Sequence, residues 1–205
     1  MIAIIDYDAG NIKSVEKALQ YLLKQDVSEV TLTRDRDVIL SADHVILPGV
    51  GSFGDAMEKL RGYGLESVIR EYTESGKPFL GICLGLQLLF EESEESPGVR
   101  GLGLLKGKIR RIPEGEGRKV PQIGWNDITL NPTSRLFTGV PDHSYVYFVH
   151  SYYLEAEDRS EVAATTEYGV RIDAAVEAGN IFACQFHPEK SSEVGLQILK
   201  NFVEL

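Results

Sequence analysis

The chain has 205 residues, 31 of them acidic and 21 basic, which gives a formal charge of −10 at neutral pH. That surplus of acid argues against a nucleic-acid partner, since displacing counterions from phosphate draws on Lys and Arg; the one basic cluster, Lys106 to Arg111, is broken by Gly107 and Ile109 and reads as a solvated strand face. With 43% hydrophobic and 25% charged residues, the composition is that of a globular protein able to bury its own core, which leaves out fibrous and disordered classes.

In chain order, Ile2 to Tyr7 is a β-branched apolar run ended by Gly10-Asn11, after which Ile12, Val15, Leu19 and Leu22 repeat at helical spacing. Glu29 to Thr33 and Val45 to Leu47 follow as strands, the second running into the loop Pro48 to Gly54. Helical patterns cover Asp55 to Leu60 and Leu65 to Ser75, Gly76-Lys77-Pro78 breaks them, Phe79 to Cys83 reads as a buried strand, and Leu84 to Phe90 begins another helix. The acidic run Glu91 to Glu95 reads as the solvated end of that helix. Strand-like segments then dominate: Leu104 to Ile112, Asp127 to Leu130, Tyr145 to Val149, Val162 to Thr166, Ala174 to Glu177 and Ile181 to Phe186. A helix over Ser191 to Leu205 closes the chain. The pattern predicts a single α/β domain, residues 1–205, with a mixed, mostly parallel sheet covered by helices on both faces and a β-rich second half.

The longest charge-free run, Pro78 to Phe90, falls short of the ~20 apolar residues that span a bilayer. Met1 to Asp6 has no basic stretch before its first acid, so no secretion signal is expected and a cytoplasmic location follows. Cys83 and Cys184 are too few for a disulfide framework and are expected as free thiols.

Gly81-Ile82-Cys83-Leu84-Gly85 has the form Gly-x-Cys-x-Gly between a buried strand and a helix, the nucleophile-elbow pattern with sulfur as the nucleophile. The glycines allow a sharp turn, and the turn puts Cys83 at a helix amino terminus where exposed N–H groups favour a thiolate. The Leu84 amide is then placed to donate to a developing oxyanion. A thiolate needs a base, and of His44, His143, His150 and His187 one stands in a suggestive setting. In Gln185-Phe186-His187-Pro188-Glu189 the proline biases His187 to an extended backbone, which turns Glu189 to the same side. A carboxylate there would fix the tautomer and stabilise the imidazolium. Each feature also has a plainer reading: Cys83 as a core cysteine, His187 as a loop histidine with an acid neighbour. Cys184 and His44 read as packing residues, and His143 as part of a turn. Gly49-Val50-Gly51-Ser52-Phe53-Gly54 satisfies the dinucleotide pattern Gly-x-Gly-x-x-Gly, but the next strand ends in Cys83 where a ribose-binding acid is wanted. Backbone amides of Val50 and Gly51 completing an anion hole with Leu84 is the better reading.

Pro48-Gly49-Val50-Gly51, Gly81-Ile82-Cys83-Leu84-Gly85-Leu86-Gln87 and His187-Pro188-Glu189 together resemble the triad glutamine amidotransferases, over most of the chain. Asp6-Tyr7 with Gly10-Asn11, Gly54-Asp55-Ala56-Met57, Val120 to Asn126, Tyr147 to Tyr152 and Lys190-Ser191 narrow the likeness to the glutaminase subunits of imidazole glycerol phosphate synthases. The resemblance implies a flavodoxin-like fold and hydrolysis of glutamine to glutamate and ammonia. Cys83 would form the glutamyl thioester, His187 would carry the proton and Glu189 would orient His187. It implies substrate contacts from Gln87 and, largely through backbone, from Gly51, Ser151 and Tyr152. It also implies a heterodimer with a (β/α)₈ cyclase that takes the ammonia in histidine biosynthesis, faced by Gly10, Asn11, Trp125, Asn126 and Lys190, with no cofactor and no metal. On the residues alone Asn11 could cap the first helix, Trp125 could be core, Gln87 could be solvated, and Ser151 and Tyr152 could be ordinary strand residues. Leu86 stands where many of these relatives have methionine or histidine. Rival readings are a glutaminase serving another synthase, such as the pyridoxal phosphate system, an elbow-cysteine hydrolase of similar fold, and a catalytically silent subunit that only binds a partner.

Overall fold

The computed structural model describes residues 1–23 and 29–205. Its first half alternates strand and helix: β1 (Ile2–Ile5), α1 (Ile12–Leu22), β2 (Val30–Thr33), α2 (Arg36–Ser41), β3 (His44–Leu47), α3 (Phe53–Gly62), α4 (Leu65–Glu74), β4 (Phe79–Ile82) and α5 (Leu84–Leu88). The second half supplies β5 (Glu92–Ser93), β6 (Gly107–Arg111), β7 (Gln122–Leu130), β8 (Ser144–His150), β9 (Tyr152–Ala156), β10 (Val162–Glu167), β11 (Arg171–Ala178) and β12 (Ile181–Cys184), and ends in α6 (Ser192–Val203).

The main sheet runs β2-β1-β3-β4-β12-β11-β10-β7-β8. Pairing is parallel from β2 through β4 to β12 and antiparallel from β12 out to β8. Strand β12 therefore joins the halves, and the segment leaving its carboxyl end arrives beside the segment leaving β4. β1, β4 and β12 are buried throughout, as parallel strands covered on both faces must be. Alternate residues feed two cores: Ala3 and Ile5 pack with Phe53, Met57, Leu60 and Ile69 under α3 and α4, whereas Ile2 and Ile4 pack with Val15 and Leu19 of α1 and Leu199 and Phe202 of α6.

Besides β5, two elements are missing from the sequence reading. Helix α2 has six residues, too few to show a period, and is held by its Asp35 cap, which accepts from the Asp37 and Val38 amides at 3.0 Å each. Strand β9 follows β8 after one residue and pairs with β6 and β11. The acidic run is also corrected. Glu92–Ser93 pairs with β6, and Glu95 turns inward to accept the Phe53 amide at 2.8 Å, because the first amides of α3 need an acceptor that the helix itself lacks.

Candidate active site

Cys83 sits between β4 and α5 at φ 55°, ψ −109°, a left-handed φ that a side chain adopts only where surrounding structure imposes it. Its neighbours explain how. A Cβ on Gly85 would run into the Leu47 carbonyl oxygen, and one on Gly81 would lie 2.7 Å from the Gly85 carbonyl oxygen, so both positions must be glycine for the turn to close. The Cys83 amide donates to the Cys184 carbonyl at 2.8 Å, which pins the elbow to β12.

The same strand order brings His187 to Cys83. His187 is fully buried, and its backbone is held from two sides: its amide donates to the Tyr147 carbonyl at 2.9 Å, while its carbonyl accepts the Ser191 hydroxyl at 2.6 Å. Ser191 in turn accepts the Tyr147 amide at 3.0 Å, so β8 and the His187 turn share one buried hydroxyl. His187 Nδ1 lies 2.7 Å from Glu189 Oε1. That contact fixes the proton on Nδ1 and leaves Nε2 for the sulfur; Nε2 is buried with no closed hydrogen bond. Burial by itself would lower the His187 pKa, but the neighbouring Cys83 and Glu189 outweigh it and hold the imidazole at about 9. Cys184, wholly buried, is pushed well above the ordinary thiol range by desolvation and by the nearby Glu189 and Cys83, which leaves it a packing residue. His44 packs edge-on against Phe202, and His143 sits exposed at a turn beside Asp127.

A cleft of about 230 Å³ opens onto the sulfur, lined by Val50, Gly51, Cys83, Leu84, Gln87, Glu95, Val149, His150, Ser151 and Tyr152. Every residue expected to touch substrate or oxyanion is on that lining. Gln87 is buried, not solvated, and its Nε2 donates to the Tyr152 carbonyl at 3.1 Å. His150 donates from Nδ1 to the same carbonyl at 2.8 Å; burial lowers its pKa to about 4, so it stays a neutral brace. The expected anion hole, in contrast, is not assembled. The Leu84 amide donates to the Gly49 carbonyl at 3.2 Å, so the N–H that should meet an oxyanion is occupied. Glu95 is the charged lining residue that sequence reading misses. Its only local signal was membership of an acidic run, and nothing there says that it folds back over the cleft.

Of the residues expected to face a partner, the structure places Gly10, Asn11 and Lys190 beside Val50 and Glu189. Gly10 abuts Val50 so closely that a Cβ on it would lie 2.7 Å from the Val50 side chain. Asn11 does not cap α1: it adopts φ 68° and makes no side-chain cap bond, and instead its Nδ2 donates to Glu189 Oε1 at 2.6 Å and lies 3.3 Å from His187 Nδ1. Trp125 is surface, 52% exposed, and shares one face of the β7–β8 ribbon with Ile123 (63%) and Tyr145 (60%). Lys190 is exposed next to Glu189. Asn126 lies on the opposite face of β7 from Trp125 and donates to the Glu167 carbonyl at 3.0 Å. Among the described residues no helix is long and apolar enough to cross a membrane, and no group of three or more His, Cys, Asp or Glu side chains is placed to hold a metal.

The chain matches the family model for class-I glutamine amidotransferases over residues 3–205. It is 50% identical over 202 residues to the imidazole glycerol phosphate synthase subunit HisH of Bacillus cereus strain G9842, covering 98% of this chain and 93% of that protein. It is likewise 50% identical over 205 residues to the subunit of the same name from Methanothermobacter thermautotrophicus, covering 100% and 98%. Among solved structures, a glutamine amidotransferase crystal structure superposes with a TM-score of 0.76 at 22% identity, over 100% of this chain and 98% of that one. The glutaminase domain of Trypanosoma brucei CTPS, solved with bound acivicin, gives 0.68 at 17% identity over 99% and 93%; at such identities the likeness is one of fold.

Proposed function

The chain belongs to the class-I glutamine amidotransferases, among the HisH-type subunits of imidazole glycerol phosphate synthase, and from that premise we propose that it hydrolyses L-glutamine at Cys83 and passes ammonia to a cyclase subunit. The observation that carries this reading is a positive-φ cysteine that opens onto one small cleft and is backed by a buried His187–Glu189 pair.

The cysteine sulfur attacks the side-chain amide carbon of glutamine while His187 holds the thiol proton on Nε2. The same proton is delivered to the departing nitrogen, ammonia leaves, and a glutamyl thioester remains on Cys83. Water then attacks the thioester with His187 as base, releasing glutamate and restoring the thiol. Glu189 keeps Nδ1 protonated and balances the imidazolium. Within the cleft Glu95 is the one carboxylate, and it offers a counter-charge for the α-ammonium of the substrate. Gln87 and the Ser151–Tyr152 backbone contribute polar contacts beside it.

Each tetrahedral intermediate carries an oxyanion, and the Leu84 amide reaches it only when the Gly49 carbonyl turns away. Rotation of the Gly49–Val50 peptide removes the carbonyl and turns the Val50 amide inward in one motion. A correctly aimed donor of this kind is typically worth ~10²- to 10³-fold in rate, so the subunit alone is a weak glutaminase. The exposed apolar face of Ile123, Trp125 and Tyr145 is the kind of surface a partner covers, and we take it, with Gly10, Asn11 and Lys190, as the docking face. The (β/α)₈ cyclase docking there would exclude water from released ammonia and bias the loop at Val50.

The test is to measure glutamate release by the purified chain, alone and titrated with a cyclase subunit from the same source and its nucleotide substrate. Hydrolysis that rises with the cyclase and vanishes in Cys83→Ala is expected. A folded chain with no glutaminase activity under either condition would refute the reading in favour of a silent binding subunit.

A further inference from the structure

Gln185, the residue that follows β12, is fully buried, yet neither its chemistry nor its position is used by the mechanism above. Burying an amide costs free energy unless its hydrogen bonds are satisfied, so a site that served packing alone would favour an apolar side chain. Its contacts show what the amide does there. The Tyr152 carbonyl can only accept, so the 3.1 Å contact turns Gln87 Nε2 towards it. The same nitrogen lies 3.0 Å from Gln185 Oε1, which makes Gln185 present its oxygen to Gln87 and leaves its own Nε2 3.7 Å from Cys83 Sγ. Flipping the Gln185 amide would set nitrogen against nitrogen at one end and oxygen against sulfur at the other. The donor on the sulfur is thus fixed by a carbonyl two side chains away.

Resting on the reading of Cys83 as the nucleophile, we propose that Gln185 stabilises the Cys83 thiolate by donating its Nε2–H to the sulfur, and that Gln87 sets the direction of that donor. The contact strengthens when the sulfur is negative, because hydrogen bonds to an ion are stronger than those between neutral groups. It acts twice in each turnover: before attack, and again when the sulfur leaves the hydrolysing thioester. Gln87 also lines the substrate cleft, so an occupant of the cleft and the reacting sulfur are joined by one hydrogen-bonded chain. The titratable groups that face the sulfur are His187 with Glu189 behind it, Tyr7 just beyond β1 and Cys184 at the end of β12; all of them remain when Gln185 is changed.

The experiment is the pH dependence of Cys83 alkylation by iodoacetamide in the full-length chain, with the modified peptide identified by mass spectrometry and folding checked by circular dichroism. Gln185→Met removes the donor at similar length, and Gln185→Glu keeps the shape and the acceptor for Gln87 while placing a negative charge near the sulfur. The alkylation midpoint should rise by roughly one pH unit in Gln185→Met, and it should rise further in Gln185→Glu. In glutaminase assays kcat should fall with little change in KM. A wild-type midpoint in folded Gln185→Met would overturn the proposal whatever Gln185→Glu shows, because added charge raises the midpoint in either case; if Gln185→Met does not fold, a wild-type midpoint in the shape-preserving Gln185→Glu overturns it. Since alkylation needs no glutamine, the two readings fail separately: activity surviving in Cys83→Ala would defeat the proposed function while leaving the alkylation shift to be read.

Discussion

Exchanging Glu189 for Gln keeps its shape and takes away its charge, and thereby removes one of the two partners that hold the His187 imidazolium. The Glu189 side chain is buried, with one oxygen shared by Asn11 and His187 and the other without a partner among the described residues, so its charge acts chiefly on the imidazole. Raising His187 from 6.5 to about 9 is worth roughly 3 kcal/mol at about 1.36 kcal/mol per pH unit, divided between Cys83 and Glu189. The sign follows from linkage. A histidine raised in the folded state contributes its full stabilisation below pH 6.5 and loses it as pH rises through about 9. Wild-type protein should therefore lose stability between those values. Glu189→Gln and Cys83→Ala should each flatten that slope. In Cys83→Ala/Glu189→Gln only burial remains, and the His187 pKa should drop below 6.5. The assay is denaturant unfolding from pH 6 to 10, paired with NMR titration of histidine-labelled protein in which the His187 signal is identified by its loss in His187→Asn. A His187 that still titrates near 9 in the double variant would show that neither partner sustains the imidazolium. In glutaminase assays Glu189→Gln should retain more activity than His187→Asn, since a group that orients the base contributes less than the base itself.

Cys83→Ala should abolish glutamine hydrolysis without loss of fold, while Cys184→Ala should keep activity at a stability cost of ~1 to 2 kcal/mol; kinetics with thermal unfolding distinguishes the two thiols, and an essential Cys184 would mean the wrong sulfur has been chosen. Tyr7→Phe removes a buried hydroxyl that donates to the Pro48 carbonyl at 2.8 Å, and the orphaned carbonyl should cost ~1 to 3 kcal/mol in urea unfolding. Ile123→Ser and Trp125→Ala act on exposed side chains, so their stability should stay within about 0.5 kcal/mol of wild type while cyclase-stimulated glutaminase activity falls; stimulation that survives both, and Lys190→Ala as well, would move the interface elsewhere.

What the sequence determined by itself is what short-range sterics and periodicity control. Gly81 and Gly85 around Cys83 announce a turn that no other residue allows, and His187 and Glu189 were legible as a pair, although they meet through a 3-10 turn at Pro188–Lys190 and not through the extended run expected. The buried strands read as such because both of their faces are apolar, and Cys83, His187 and Glu189 stood out as candidates from their motifs. What only the tertiary structure decided depends on atoms brought together across the sheet. Asn11 reads locally as a helix cap and instead donates to Glu189, because β1 delivers α1's entrance next to the turn after β12. Glu95 reads as solvated and closes one side of the cleft, because the start of α3 needs an acceptor. Gln185 is an unremarked neighbour of His187 until β12 pairs with β4 and sets its amide against the sulfur. Whether the Leu84 amide is free to meet an anion depends on the orientation of one peptide, Gly49–Val50, which the residue types do not fix. The contact between the Gly49 carbonyl and the Leu84 amide settles it in the structure, because an amide donor in a closed elbow takes the nearest acceptor when no oxyanion is there to compete.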